Sequence, residues 1–214
     1  HNALISPETV MKSRKATADK YGAYVVGCDP AREGDDMTTF IRRQGRKAWN
    51  LEKHAKLDDM AKAGLAKKIL DSEPVDRMFI DRGGGSGMYD RLVEMGYGKR
   101  VSLINFGHNA LDQDAYKNRR AEMWAEMNKW LESEMETDIP DDDYLHGDLT
   151  AVGFKYTSNT QLLLEPKEKV KDRIGKSPDG GDALALTFAE PVAVKKQSRV
   201  VHVGYTPRDS VVGI

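Results

Sequence analysis

Four aspartates stand where a chain can do metal chemistry: Asp29, Asp81, Asp179 and Asp182. Asp29 closes an apolar run, Asp81 closes a second, and the other two open a third apolar segment. In an open α/β sheet, sites form where strands end and neighbouring helices begin. Three distant segments can therefore deliver carboxylates to one point. Such a cluster needs a cation, because unpartnered carboxylates repel one another and their pKa values rise. Mg²⁺ or Mn²⁺ suits hard oxygen donors. Two such ions about 4 Å apart can activate a water and stabilise the leaving oxygen of a phosphodiester.

Each aspartate also has a bland reading. Asp29-Pro30 is a common turn starter, and Asp81 before Arg82-Gly83-Gly84 suits a strand-end turn. Asp179 suits the favourable charge at a helix start. Asp182 is harder to dismiss, since it interrupts an apolar face one turn after Asp179, so both can point the same way. Asp35 and Asp36 follow at a hairpin turn. Asp35 is counted as a further metal carboxylate, with a solvated turn as the other reading.

The elements that must position these groups can be read from the apolar pattern. Tyr21 to Cys28 reads as a buried strand. Met37 to Arg43 and Lys47 to His54 read as two more, linked as hairpins through Gly34 and Gln44-Gly45. A helix over Leu57 to Leu70 follows, then a strand over Val75 to Ile80. Glycines separate it from a helix beginning at Met88. A strand over Arg100 to Asn105 precedes a polar loop, and Arg119 to Glu134 is a strong helix. Asp141 to Val152 is a shorter one. Phe154 to Leu164 reads as a hairpin, Pro166 opens a basic helical turn, and Asp179 to Ala189 is an apolar helix. This order predicts an α/β protein with a central mixed β-sheet, antiparallel hairpins first and parallel strands after, flanked by helices on both faces. That opening is what the RNase H-like fold requires.

The 214 residues suit one domain. Residues 1–20 read as a lead-in or linker, 21–191 as the domain, and 192–214 as a polar tail, strand-like at Val200 to Val203. The start at His1 rather than Met reads as a piece cut from a longer chain. With 39% hydrophobic and 31% charged residues, the class is globular and soluble, and no run approaches the roughly 18 apolar residues that span a bilayer. The lone Cys28 excludes an internal disulfide or a thiolate metal cage. It fits a reducing, intracellular setting and is expected in the core. The net charge of −1 neither announces nor excludes a nucleic-acid partner.

Several segments together resemble the nuclease half of phage large terminase subunits. Gly27-Cys28-Asp29-Pro30-Ala31 with Gly34-Asp35-Asp36 is similar to the first nuclease motif of that family. Phe79-Ile80-Asp81 with Gly83, Gly85 and Gly87 is similar to the second. The run from Tyr116 to Trp124 resembles a segment common in the family. The run from Ser177 to Ala189, with Asp179, Asp182, Ala183 and Leu184, is similar to the third and is the most specific. The resemblance covers 21–190 in the right order. It implies an RNase H-like nuclease that cuts concatemeric viral double-stranded DNA with Mg²⁺ or Mn²⁺, with two ions expected. Asp29, Asp81 and the Asp179/Asp182 pair become the metal ligands and catalytic residues, with either member of the pair left open as the essential one. It also implies the host cytoplasm, an N-terminal packaging ATPase domain, a small terminase subunit and a portal as partners, and a monomeric isolated domain.

No G-x-x-x-x-G-K-[ST] phosphate loop is present. The glycines of 83–87 lack a following Lys and are read as letting backbone approach metal or DNA. Translocation is therefore not assigned to this chain. Arg32, Arg82 and Lys155 are the candidate phosphate contacts. The basic series Lys167, Lys169, Lys171 and Arg173 alternates with Glu168 and Asp172 and is read as a solvated face. Trp124 is read as packing, and Asp81 is expected in a solvent-facing site. A Holliday-junction resolvase or transposase-like nuclease would use the same carboxylates, and activity on branched against linear DNA would separate them. A non-catalytic DNA- or portal-docking module would show no Mn²⁺-dependent cleavage.

Overall fold

The structure is a computed structural model that describes residues 2–32 and 36–194. β1 (Val25–Asp29) is central. It pairs antiparallel with β2 (Met37–Gln44), which pairs antiparallel with β3 (Lys47–Ala55). On its other side it pairs in parallel with β4 (Arg77–Asp81), and β4 pairs in parallel with β5 (Val101–Ile104). The sheet order is β3-β2-β1-β4-β5, the mixed sheet expected from the element order.

Alternation along the strands builds one core on each face. Val26, Cys28, Phe40, Met78 and Ile80 pack with α2 (Asp59–Ser72) and α3 (Arg82–Glu94). Val25, Ile41 and Phe79 pack on the other side with α4 (Arg119–Glu132), α5 (Asp143–Ala151) and α7 (Asp179–Leu186). Cys28 is a core residue, as expected. By the same alternation Asp29 and Asp81 fall on the α7 face, two residues beyond Gly27 and Phe79. The register pairs Cys28 with Ile80, so the two aspartates end neighbouring parallel strands side by side. Gly27 lets α7 lie directly on β1, because a Cβ there would stand 1.8 Å from the Ala183 carbonyl oxygen.

Two sequence readings change. The lead-in at 1–20 is no free linker. It contains α1 (Pro7–Lys15), capped by Ser6, whose side chain accepts from Thr9 N at 3.1 Å. Ile5 and Val10 are fully buried in the core. The helix is short and polar, so only tertiary packing reveals it. Secondly, the glycines after Asp81 are not a loop but the first turns of α3. What they approach is protein: a Cβ on Gly84 would meet the Pro30 carbonyl oxygen at 2.4 Å, and one on Gly87 the Asp59 carboxylate at 2.1 Å.

The small hairpin of β6 (Phe154–Tyr156) and β7 (Leu162–Leu164) leads through Pro166 into α6 (Lys167–Ile174). Among the described residues no helix is long and apolar enough to cross a membrane. The tail from Lys195 onward, with its strand-like Val200 to Val203, lies outside the described residues, as does Asp35.

Candidate active site

Asp29, Asp81, Asp179 and Asp182 converge, and the ammonium of Lys167 stands among them. Lys167 Nζ lies 2.7 Å from Asp29 Oδ2, 3.0 Å from Asp182 Oδ2 and 3.8 Å from Asp179 Oδ1. Asp81 completes the group, its Oδ1 accepting from Gly83 N at 3.1 Å as the cap of α3. The expectation of a solvent-facing Asp81 is corrected: it is 3% exposed, and the other three are equally enclosed. The strand ends are roofed by α6 and α7, which a reading of single segments does not show. A cavity of about 140 Å³ opens onto Asp29, Asp81, Asp179, Lys167, Arg32 and Asp36.

The carboxylates are not equivalent. Asp182 is fully engaged: Oδ1 accepts from Arg120 Nε at 2.9 Å and from Trp124 Nε1 at 2.7 Å, and Oδ2 faces Lys167. Burial works against its charge, but Arg120 and Lys167 outweigh it and hold its pKa below the ordinary range. Asp29 goes well above that range, since burial and its three acidic neighbours outweigh Lys167. Asp81 and Asp179 are raised as well, burial being the largest cause for each, with Lys167 opposing. Among the described residues, Asp179 accepts a long bond from Met37 N, 3.4 Å, at the start of β2, beside the 3.8 Å contact with Lys167. Lys167 is raised in turn, because four carboxylates outweigh its burial.

Among the described residues no three acidic, His or Cys side chains close on one point as ligands of a single ion do. Lys167 holds that place. The donor set nevertheless fits a hard divalent cation. It is all oxygen, it carries more negative charge than Lys167 and Arg120 offset, and three of its members are pushed toward protonation, first by burial and then by their acidic neighbours. A further sign is Thr39 Oγ1, which is fully buried opposite Asp29 and has no hydrogen-bond partner.

Of the proposed phosphate contacts, Arg32 and Arg82 are exposed and share a groove with Gly83, Gly84, Ser86 and Gly87. Arg32 also borders the carboxylate cavity. Lys155 does not join them. It is exposed on β6 and lines a separate groove with Lys169 and Leu163. Lys167 leaves the basic series read as a solvated face: its side chain is 20% exposed and turned into the cluster. Alternation of charge conceals it, and the preceding Pro166, which fixes it at the first helical position, was the only local signal. Arg120 was visible only as a member of a motif, and Trp124, read as packing, is buried as expected but also donates to Asp182. Asp148 on α5 was not singled out at all. It is fully buried, pairs with Lys176, and accepts from Gly180 N at 2.8 Å.

The strand order and the acidic cluster at the strand ends define an RNase H-like α/β fold. The particular version is that of large terminase nuclease domains. The nuclease domain of the large terminase subunit gp2 of bacterial virus Sf6 superposes with a TM-score of 0.77 at 20% identity, covering 89% of this chain and all of that one. The large terminase nuclease from thermophilic phage G20c follows at 0.62 and 13%, covering 89% and 99%. The Thermus phage P74-26 large terminase nuclease domain gives 0.55 and 12%, covering 87% and 90%. A lysine-to-alanine mutant of the Sf6 domain has been solved with manganese and with calcium, and the G20c domain with magnesium and with cobalt. No known family profile matches the sequence, and neither does any curated protein. The resemblance noted in the sequence thus holds at the level of fold.

Proposed function

We propose that the chain is a divalent-metal-dependent endonuclease that cleaves double-stranded, concatemeric viral DNA during genome packaging in the host cytoplasm. The observation that carries this is the convergence of four carboxylates, from two strand ends and one helix start, in a fold shared with terminase nuclease domains. The metal-bound relatives support the choice of Mg²⁺ or Mn²⁺. Asp29, Asp81 and Asp179 face the cavity and would hold the ions, and Asp182 joins them through the oxygen that now faces Lys167. Two ions bound there would supply the Lewis acidity that activates the attacking water and stabilises the departing oxygen.

The remaining work falls to the chain's own side chains. Arg120 and Trp124 hold Asp182 in one rotamer. Lys167 offsets the repulsion among the carboxylates, which keeps the cluster closed without a divalent ion. Arg32 and Arg82 neutralise backbone phosphates beside the cavity, contacts that position a duplex without reading its sequence. An N-terminal packaging ATPase domain, a small terminase subunit and a portal would supply grip and timing, with this domain itself monomeric.

The test is supercoiled plasmid incubated with the protein and Mg²⁺ or Mn²⁺. Nicking or linearisation is expected, with loss on chelation. Asp81→Asn is the variant of choice, because the amide keeps an acceptor for Gly83 N and preserves the cap. Its cleavage should fall to background while its melting temperature stays within a few degrees. Full cutting by that variant, or cutting that survives chelation, refutes the proposal. A preference for branched over linear duplex would move the assignment to a resolvase.

A further inference from the structure

Thr38 and Thr39 are neighbours on β2, both fully buried, and they differ in one respect. Thr38 Oγ1 accepts from Ala31 N at 3.1 Å and so fixes the chain just after Asp29. Thr39 Oγ1 makes no hydrogen bond. A buried hydroxyl without a partner is costly, and native structures seldom keep one without a reason such as an absent water or ion.

Its position supplies the reason. Thr39 pairs with Asp29 in the antiparallel register of β1 and β2. Directly opposed residues in such a pair project to the same face, with Cβ atoms about 4.5–5.5 Å apart. Ile41, two residues along, packs in the core on the α7 side, while Phe40 packs on the other. Thr39 therefore points to the layer where Asp29 meets α7, and Met37 N on the same strand reaches Asp179. Asp29 Oδ2 is drawn to Lys167.

We propose that Thr39 is a positioning residue of the carboxylate site: its hydroxyl donates to Asp29 once a divalent cation takes over the role of Lys167, and so holds that carboxylate in its ligating rotamer. The inference rests on the metal-dependent reading above. It also explains why a hydroxyl is kept where valine would pack as well and cost nothing in unmet hydrogen bonding. Groups that hydrogen-bond a metal ligand are typically worth about 10–100-fold in metal affinity.

The measurement is calorimetric titration of the whole protein with Mn²⁺, without DNA, alongside thermal melts of the metal-free form. Thr39→Val should bind Mn²⁺ about tenfold more weakly, yet melt at or above the wild-type temperature, because it removes an unsatisfied polar atom. Thr39→Ser keeps the hydroxyl and loses a methyl, so it should bind nearly as wild type and melt lower. Equal affinity in wild type and Thr39→Val, or a serine variant as weak as the valine one, overturns the inference and leaves the nuclease reading intact. A wild-type protein that takes up no Mn²⁺ removes both.

Discussion

Within the cluster, hydrogen bonding separates two aspartates that sequence could not tell apart. Asp182 is a buried partner of Arg120, whose side chain is 9% exposed. Neutralising one member of a buried ion pair strands the other and costs about 3–5 kcal/mol. Asp179 has only long contacts to lose, Met37 N at 3.4 Å and Lys167 at 3.8 Å, and burial, joined by Asp182 and Asp36, works against its charge. Asp182→Asn should therefore lower stability by roughly 3 kcal/mol, whereas Asp179→Asn should leave it unchanged or raise it. Mn²⁺ affinity should drop in Asp179→Asn by more than about tenfold, the lower bound for groups that only support a ligand. Urea unfolding of metal-free protein and metal titration of the same samples check both halves. Equal destabilisation by the two variants would mean that the contacts to Arg120 and Trp124 carry little energy.

At the scale of elements, the question is what holds α7 so that its first turn meets two strand ends. The helix has no side-chain cap of its own, with Pro178 at the cap position. Asp148 substitutes from α5 by accepting from Gly180 N. Burial lifts its pKa to about 7, against Lys176 and the Gly180 amide, which favour the charge. The folded value lies above the ordinary carboxylate value of about 3.9, so this group's contribution to stability is complete below that value and is lost as pH rises through about 7. Melting of the wild type should thus fall from about pH 4 to pH 7 and level off above, and Asp148→Asn should flatten that slope while keeping the acceptor. Asp148→Ala should cost about 1–2 kcal/mol, the loss of a cap. An unchanged slope in the asparagine variant would assign the pH dependence elsewhere. The strands, the long helices and the four aspartates were legible because period-2 and period-3.6 patterns end at them. Lys167, Thr39 and Asp148 were not, for a common reason. Each acts through a partner on another element, more than a hundred residues away in sequence for Lys167 and Asp29, and each is locally indistinguishable from a surface lysine, a strand threonine or a helical aspartate. The first turns of α3 were hidden because glycine is a poor helix former, and close approach to Pro30 and Asp59 overrides that preference.

For the molecule as a whole, the balance of charge decides how DNA is held. The chain has a net charge of −1, and its acidic centre repels the phosphate it must admit. Near the cavity, Lys62 is spent on Ala31 O and Gly84 O, and Lys167 is committed to the carboxylates. Arg32 and Arg82 are left exposed on the adjoining groove. Binding by phosphate neutralisation releases counterions, and each contact contributes about 0.9 to the slope of log affinity against log salt. Two arginines predict a shallow total, a slope of magnitude about 2, and weak affinity at physiological salt. In a larger assembly, tethering beside other DNA-binding parts raises the effective concentration and compensates for this. The experiment uses the Asp81→Asn protein, which binds without cutting, on several unrelated duplexes across a range of salt. Replacing Arg32 or Arg82 by Ala should weaken all duplexes alike and reduce the slope by about 1 each. Tight, sequence-selective binding at physiological salt, or a slope unmoved by both replacements, would place the DNA path on another face, with the groove at Lys155 and Lys169 the next to mutate.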